Sequence, residues 1–210
     1  MDSFSDAIGL RKDWPHEPQN QDEMSITGLA SWAQAYLRAA EVLNFSAEAR
    51  DGAFYAGPVV QSAGLATELT LKAVLRGLGQ TENDVKKFSH NTYEAYCEAR
   101  VAFDEVKFLD LHFANTSHLK TPQEVRERLE KQGEKDVDIR WRVYFDHLRI
   151  LDTSYHRPFR ARYVIPGAVI LPEITIVLTG TKILLSALQE RLRSDVSANW
   201  GGSHLIEEGA

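Results

Sequence analysis

The chain is 210 residues long, 43% hydrophobic, 26% charged and 10% aromatic, a composition that belongs to folded globular proteins and excludes a mainly disordered, collagen-like or disulfide-built one. Its 24 Lys and Arg against 30 Asp and Glu give a formal charge of −6, so the molecule as a whole does not attract nucleic acid or an anionic membrane, and any polyanion site has to be local. The single cysteine, Cys97, rules out an internal disulfide and a cysteine zinc cage and fits a reducing compartment, by default the cytoplasm.

Residues 1–24 carry more acid than base and no apolar core of signal-peptide length, so they read as a loosely held arm. From Ser25 to Ala47 the residues Leu29, Trp32, Ala33, Tyr36, Leu37, Ala40 and Leu43 recur at helical spacing, with Ser25 and Thr27 as capping types. The stretch from about Gly57 to Leu78 is apolar on more than one side and predicts the most buried helix, opened by Pro58 and stopped by Gly77 and Gly79. A third helix is expected near Ser89, His90 and Asn91, with Ser89 or Asn91 as N-cap and Tyr93, Tyr96, Cys97 and Val101 along one stripe, running on with a break through Phe108 and Leu111.

Thr121-Pro122-Gln123-Glu124 has the form of a capping box, with Thr as N-cap, Pro at the first helical position and Glu at N3, and predicts a helix to about Lys131. Trp141, Tyr144, Phe145, Leu148 and Leu151 predict another, ended by Arg157-Pro158. The last begins at Pro172 and carries Ile174, Val177, Leu178, Thr181, Leu184, Leu185, Leu188 and Leu192, while 162–171 is β-branched enough for a short strand or extended loop. Residues 195–210 are Gly-rich and should fray. The expected fold class is all-α, a single domain over 25–194 built as an antiparallel up-and-down bundle of about five helices. Val164–Leu188 approaches bilayer length, but Glu173, Lys182, two prolines and two glycines interrupt it, so a buried helix is expected there and no membrane partner.

No phosphate-loop, dinucleotide, zincin, nucleophile-elbow or paired-cysteine motif is present. Asp110, His112 and His118 lack a third ligand at a regular helical offset, so no metal or other cofactor is expected and a polar loop is the expectation there. Glu68 and Lys72, one turn apart in the most apolar helix, form either a buried carboxylate of tuned acidity or an ion pair whose lysine reaches solvent while Glu68 bonds a neighbouring helix. His90 and Asn91 fit the start of a helix. The chemically uneven stretch is 139–163, where Arg140, Arg142, Arg149, Arg157, Arg160 and Arg162 face only Asp146 and Asp152, a local balance of +4 that leaves −10 for the rest. Arginine forks hold phosphates bidentately and stack on rings such as Trp141 and Tyr163. These side chains either contact a phosphate, nucleotide or RNA, or pair with acids of the arm, with the Glu-rich helix 121–134 or across a dimer.

The run Ala66-Thr67-Glu68-Leu69-Thr70-Leu71-Lys72-Ala73-Val74-Leu75, then a glycine turn, then Ser89-His90-Asn91, resembles the E-x-x-L-K-A-x-L…H-[DN]-L pattern of HEPN domains, the "higher eukaryotes and prokaryotes nucleotide-binding" bundles. Tyr155-His156-Arg157-Pro158-Phe159-Arg160-Ala161-Arg162-Tyr163 resembles the segment that some HEPN subfamilies carry before the last helix. The likeness implies a four- or five-helix bundle, a homodimer, and one of two roles. Non-catalytic members bind nucleotides or act as partners of other proteins, which here implicates Arg149, Arg157, Arg160, Arg162 and Tyr163, with Glu68, Lys72, His90 and Asn91 as a structural polar motif. Others are metal-independent endoribonucleases of toxin or defence type with an R-x4–6-H pair across a dimer cleft, here Arg142 and His147. In this chain Val143 stands where the motif has a polar residue, and the pair precedes the last helix instead of opening it.

Overall fold

A computed structural model describes residues 3–15, 24–46, 56–156 and 170–200. Among these there are ten α-helices, one 3-10 turn and no strand: α1 Phe4–Ala7, α2 Ile26–Phe45, α3 Ala56–Gly77, α4 Glu82–Lys87, α5 Thr92–Ala99, the turn Arg100–Ala102, α6 Glu105–Asn115, α7 Gln123–Lys131, α8 Val137–Trp141, α9 Tyr144–Tyr155 and α10 Ile174–Trp200. The fold is all-α. No helix of the described residues is long and apolar enough to cross a membrane.

The most apolar segment becomes the axle. In α3 every residue from Thr70 to Gly77 is buried, because α2, α5, α9 and α10 all pack on it. Arg76 near its end donates to the carbonyl of Met24 before α2 (3.3 Å), so α2 and α3 run antiparallel. Thr67 meets Thr181 (2.8 Å), and further on both Gly77 and Arg191 meet Trp14, so α3 and α10 run in the same direction.

α9 is wedged onto these two helices by tyrosines. Tyr144 and Tyr155 are fully buried, and each ring lies flat on a glycine, Tyr155 on Gly64 of α3 and Tyr144 on Gly180 of α10. The Tyr144 hydroxyl shares Thr181 with Thr67 (3.2 Å), which satisfies the polar atoms that this close approach buries.

Several local readings are revised. Residues 3–15 are packed, not a loose arm: Ile8 and Trp14 are buried in the core, Trp14 Nε1 donates to Val74 O (3.1 Å), and the 8–11 turn pairs with Ala102 and Asp104. The signal was the apolar set Ile8, Leu10 and Trp14 among charged neighbours. Thr121 caps nothing. Its hydroxyl and amide instead donate to Asp138 (2.5 and 3.3 Å), and α7 starts from Pro122 with no side-chain cap. A reciprocal capping box forms at Thr81 and Asp84 and opens α4, a helix that a six-residue length hides from periodicity. The helix expected around 139–156 is two, α8 and α9, broken at Arg142-Val143. Asn91, not Ser89, caps α5. The 162–169 part of the expected extended segment, like Arg157, Arg160, Arg162 and Tyr163, lies outside the described residues.

A Cβ at either notch would overlap its tyrosine ring. Gly64→Ala and Gly180→Ala should each lower unfolding free energy by about 1–3 kcal/mol, the usual cost of overpacking a core, measured by urea denaturation. A change below 0.5 kcal/mol at both sites would show that α9 is not seated through these contacts.

Candidate functional site

Three clusters gather most of the sequence-selected polar residues that the structure describes; Asp110 and His118 belong to none of them, and Arg157, Arg160, Arg162 and Tyr163 lie outside the described residues. The first is Glu68, whose carboxylate accepts from Lys72 Nζ (2.6 Å), His90 Nδ1–H (2.8 Å) and the Tyr155 hydroxyl (2.5 Å). His90 also stands edge-on to Tyr155, 5.5 Å between ring centres. Burial opposes ionisation of Glu68 more than any one neighbour favours it, but Lys72, Tyr155 and His90 together prevail and hold the carboxyl below its ordinary range. Lys72 is itself largely buried, its side chain 11% exposed, with its Nζ turned onto Glu68. Asn91 Oδ1 accepts from Glu94 N (3.1 Å), and Asp152 of α9 accepts from Thr92 N, Thr92 Oγ1 and Tyr93 N (2.9, 2.7 and 2.9 Å), completing the start of α5.

The second cluster holds the Arg-x4-His pair. Arg142 directs Nε to Asp138 O (2.9 Å) and Nη1 to Phe113 O (3.1 Å), with its guanidinium 6.0 Å from the Phe113 ring centre, so it closes the ends of α6 and α8. His147 is 3% exposed. Its Nε2–H donates to Trp141 O (2.7 Å), and its Nδ1 accepts from Glu173 N–H (3.1 Å), an assignment that the two backbone partners impose. Arg142 and His147 are therefore neighbours with different jobs, and both ring nitrogens of the histidine are engaged. His112 stands on α6, fully buried, where the sequence suggested a polar loop. Its Nε2–H donates to Ile176 O (3.1 Å), and its Nδ1 has no partner among the described residues. Two histidines thus grip the chain at the entry to α10. Among the described residues no group of three His, Cys, Asp or Glu forms a metal site.

The third cluster is a groove of about 440 Å³ between α7, α8 and α9. Val125, Leu129, Trp141 and Ile150 supply apolar lining, His147 lies at its base, and Arg128, Arg140 and Arg149 stand at its edge. The helix spacings explain the assembly: 125, 128 and 129 share one face of α7, and 146, 149, 150 and 153 share one face of α9. Arg140 is paired with Asp146 and with Glu134 (3.6 Å). Arg149 lies 5.4 Å over the Tyr93 ring. Among the described residues neither Arg128 nor Arg149 makes an ion pair, which leaves two exposed guanidinium groups without a carboxylate beside an apolar hollow. Arg128 escaped the sequence reading because it belongs to the Glu-rich helix. The available signal was the i, i+4 pair Val125 and Leu129, the only apolar residues of α7.

Burial lowers the pKa of His112 to about 4 and that of His147 below its usual value. Both are neutral when folded, while the unfolded chain binds protons near pH 6.5. Stability should then be complete above pH 6.5 and fall as the pH drops toward 4, with His112 alone contributing about 3 kcal/mol of the loss. Glu68 adds to the loss only below about 4.5, and Asp152, raised by burial, works in the opposite sense. Urea midpoints between pH 7.5 and 4.5 test this: His112→Phe should flatten the slope, and a slope unchanged in that variant would refute the assignment.

No family model, curated protein or solved structure matches the chain.

Proposed function

We propose that the protein is a HEPN-like helical-bundle binding module of the cytoplasm, non-catalytic, that receives a phosphate-bearing ligand, a nucleotide, an RNA or a phosphate-bearing protein partner, in the groove between α7, α8 and α9. The observation that carries this reading is the pairing of an apolar hollow that includes the Trp141 indole with the guanidinium groups of Arg128 and Arg149, which have no acid to neutralise them among the described residues. A cavity of about 440 Å³ is in the range of small-ligand sites. An aromatic base has a ring to stack against, and a phosphate has two forks to bridge. The groove's lining carries Arg128, Arg140 and Arg149 against Asp146, a local excess of positive charge in a chain of charge −6.

The endoribonuclease reading has one observation in its favour, the position of His147 at the base of the same groove. A general base needs a free lone pair within reach of the 2′-hydroxyl. The Nδ1 lone pair of His147 is spent on Glu173 N–H, and Arg142 spends its fork on two carbonyls. Binding without turnover is the better fit.

Calorimetric titration of the full chain with ATP and with a short single-stranded RNA, at about 50 and 200 mM salt, tests the reading. Binding of at least one should weaken as salt rises. Arg128→Glu combined with Arg149→Glu should weaken it at least tenfold, since a charge-assisted phosphate contact is worth about 1.5–3 kcal/mol. Absence of binding at about 100 µM protein, or affinity indifferent to the double substitution, refutes the groove as the site. RNA cut in the presence of EDTA by the wild type but not by a folded His147→Ala variant would select the nuclease instead.

A further inference from the structure

We infer that the occupant of the groove between α7, α8 and α9 is a small amphiphilic phosphate free in solution, an alkyl or aryl phosphate monoester, whose apolar body enters the hollow while its phosphate lies on Arg128 and Arg149. The inference rests on the groove being the phosphate site and names what else the ligand carries. The first observation is the position of α7. It buries no residue of its own, and polar contacts tie it to α8, since Asp138 accepts from Thr121 Oγ1 (2.5 Å) and from Arg126 Nη2 (2.6 Å). Val125 and Leu129, its only apolar residues, lie one turn apart and line the hollow instead of the core. Trp141 of α8 and Ile150 of α9 line it too, and all four side chains are half-buried. α7 thus adds nothing to the core and one apolar wall to a space of about 440 Å³.

The polar groups around this space decide which body suits it. His147 at the base has both nitrogens engaged, by Trp141 O and by Glu173 N–H. Asp146 is paired with Arg140, and the Thr153 hydroxyl donates to Ile150 O (2.7 Å). Inside the arginine edge, the lining side chains therefore keep few hydrogen bonds for an occupant, chiefly the Trp141 indole N–H and the lone pairs of Thr153. A nucleotide brings the donors and acceptors of its base edge and the hydroxyls of its sugar, and each one buried without a partner costs about tenfold in affinity. An alkyl or aryl body needs no partner, and each methylene taken out of water strengthens binding by up to about fourfold.

Charge fixes the other end of the ligand and its source. Arg128 on α7 and Arg149 on α9 stand at the edge of the hollow with no ion pair among the described residues, so an anionic head meets guanidinium forks where the apolar lining ends. A phosphate monoester carries a charge of about −1.5 to −2 at pH 7, which two arginines balance. A space of about 440 Å³ lies near the lower end of small-ligand sites, so the body is short. A bilayer is the poorer source of such a head. Attachment to an anionic membrane calls for a cluster of about four to eight cations, whereas the groove edge supplies two unpaired ones in a chain of charge −6.

Calorimetric titration of the full chain at about 100 µM with inorganic phosphate, AMP and butyl, hexyl and octyl phosphate reads head and body separately. Affinity should rise about two- to fourfold per added methylene along the alkyl series. Octyl phosphate should bind at least about tenfold more tightly than AMP, which has the same head. Leu129→Asn should flatten the series with helical circular dichroism unchanged, because α7 buries no residue. Arg128→Glu combined with Arg149→Glu should weaken every alkyl phosphate at least about tenfold. AMP bound as tightly as octyl phosphate, or a flat alkyl series, with binding still sensitive to the arginine pair, overturns this inference and leaves the groove as the phosphate site. An alkyl series indifferent to the Leu129 and arginine substitutions puts the amphiphile elsewhere and overturns it, and no binding of any probe refutes the groove reading as well. Flotation of the chain with phosphatidic acid vesicles that octyl phosphate does not reverse would assign the head to a membrane and overturn the free ligand.

Discussion

The Glu68 carboxylate is the constraint on which the rest of the structure depends. A carboxylate buried in an apolar helix is tolerable only if donors replace the water it gave up. Here the donors come from three places in the chain: Lys72 one turn along α3, His90 at the turn before α5, and Tyr155 at the end of α9. Satisfying one charge therefore fixes three elements at once. The Tyr155 that supplies the shortest of these bonds is the same ring that lies on Gly64, so hydrogen bond and packing define one position of α9 between them. Asp152, one residue short of a turn earlier on α9, then meets the open amides of α5. The polar motif is structural in effect, and its consequence is the placing of α9.

That placing decides what the arginine-rich segment can do. With Tyr144, Leu148, Leu151 and Tyr155 turned into the core, helical geometry turns Asp146, Arg149, Ile150 and Thr153 outward, where α7 and α8 close a groove around them. The local charge of the segment is divided among different uses. Arg142 satisfies carbonyls at two helix ends, Arg140 neutralises Asp146 and Glu134, and Arg149 keeps its fork exposed beside Trp141. A count of arginines treats these as equivalent, although among the described residues of the segment Arg149 alone, with Arg128 from another helix, stands at the groove without an ion pair.

The same distinction explains how much was legible in the sequence. Helices with a long apolar stripe were readable because burial of one face repeats every three to four residues: α2, α3 and α10 are cases, and Ser25 and Asn91 cap as their side-chain chemistry suggests. Glu68, Lys72 and His90 were readable as a motif, but Tyr155, 87 residues further on, was not, since nothing local marks a phenol as the partner of a distant carboxylate. Thr121 failed as a cap for a related reason. Its best acceptor was Asp138, 17 residues away, and a long-range bond outcompeted a local one. The groove was half legible, because Trp141 and Arg149 lie in the segment whose composition drew attention, whereas Arg128 contributes only through the packing of α7.

α2 carries a further lesson about periodicity. Its apolar residues were read as one buried face that included Trp32 and Tyr36, yet the structure divides them into a core-facing set and an outward set. Helical spacing marks a residue as apolar but not as core-facing: Leu29, Ala33, Leu37 and Ala40 are buried, whereas Trp32 and Val42 on the same helix stand exposed, and only the packing of α3 and α10 on α2 separates the two sets.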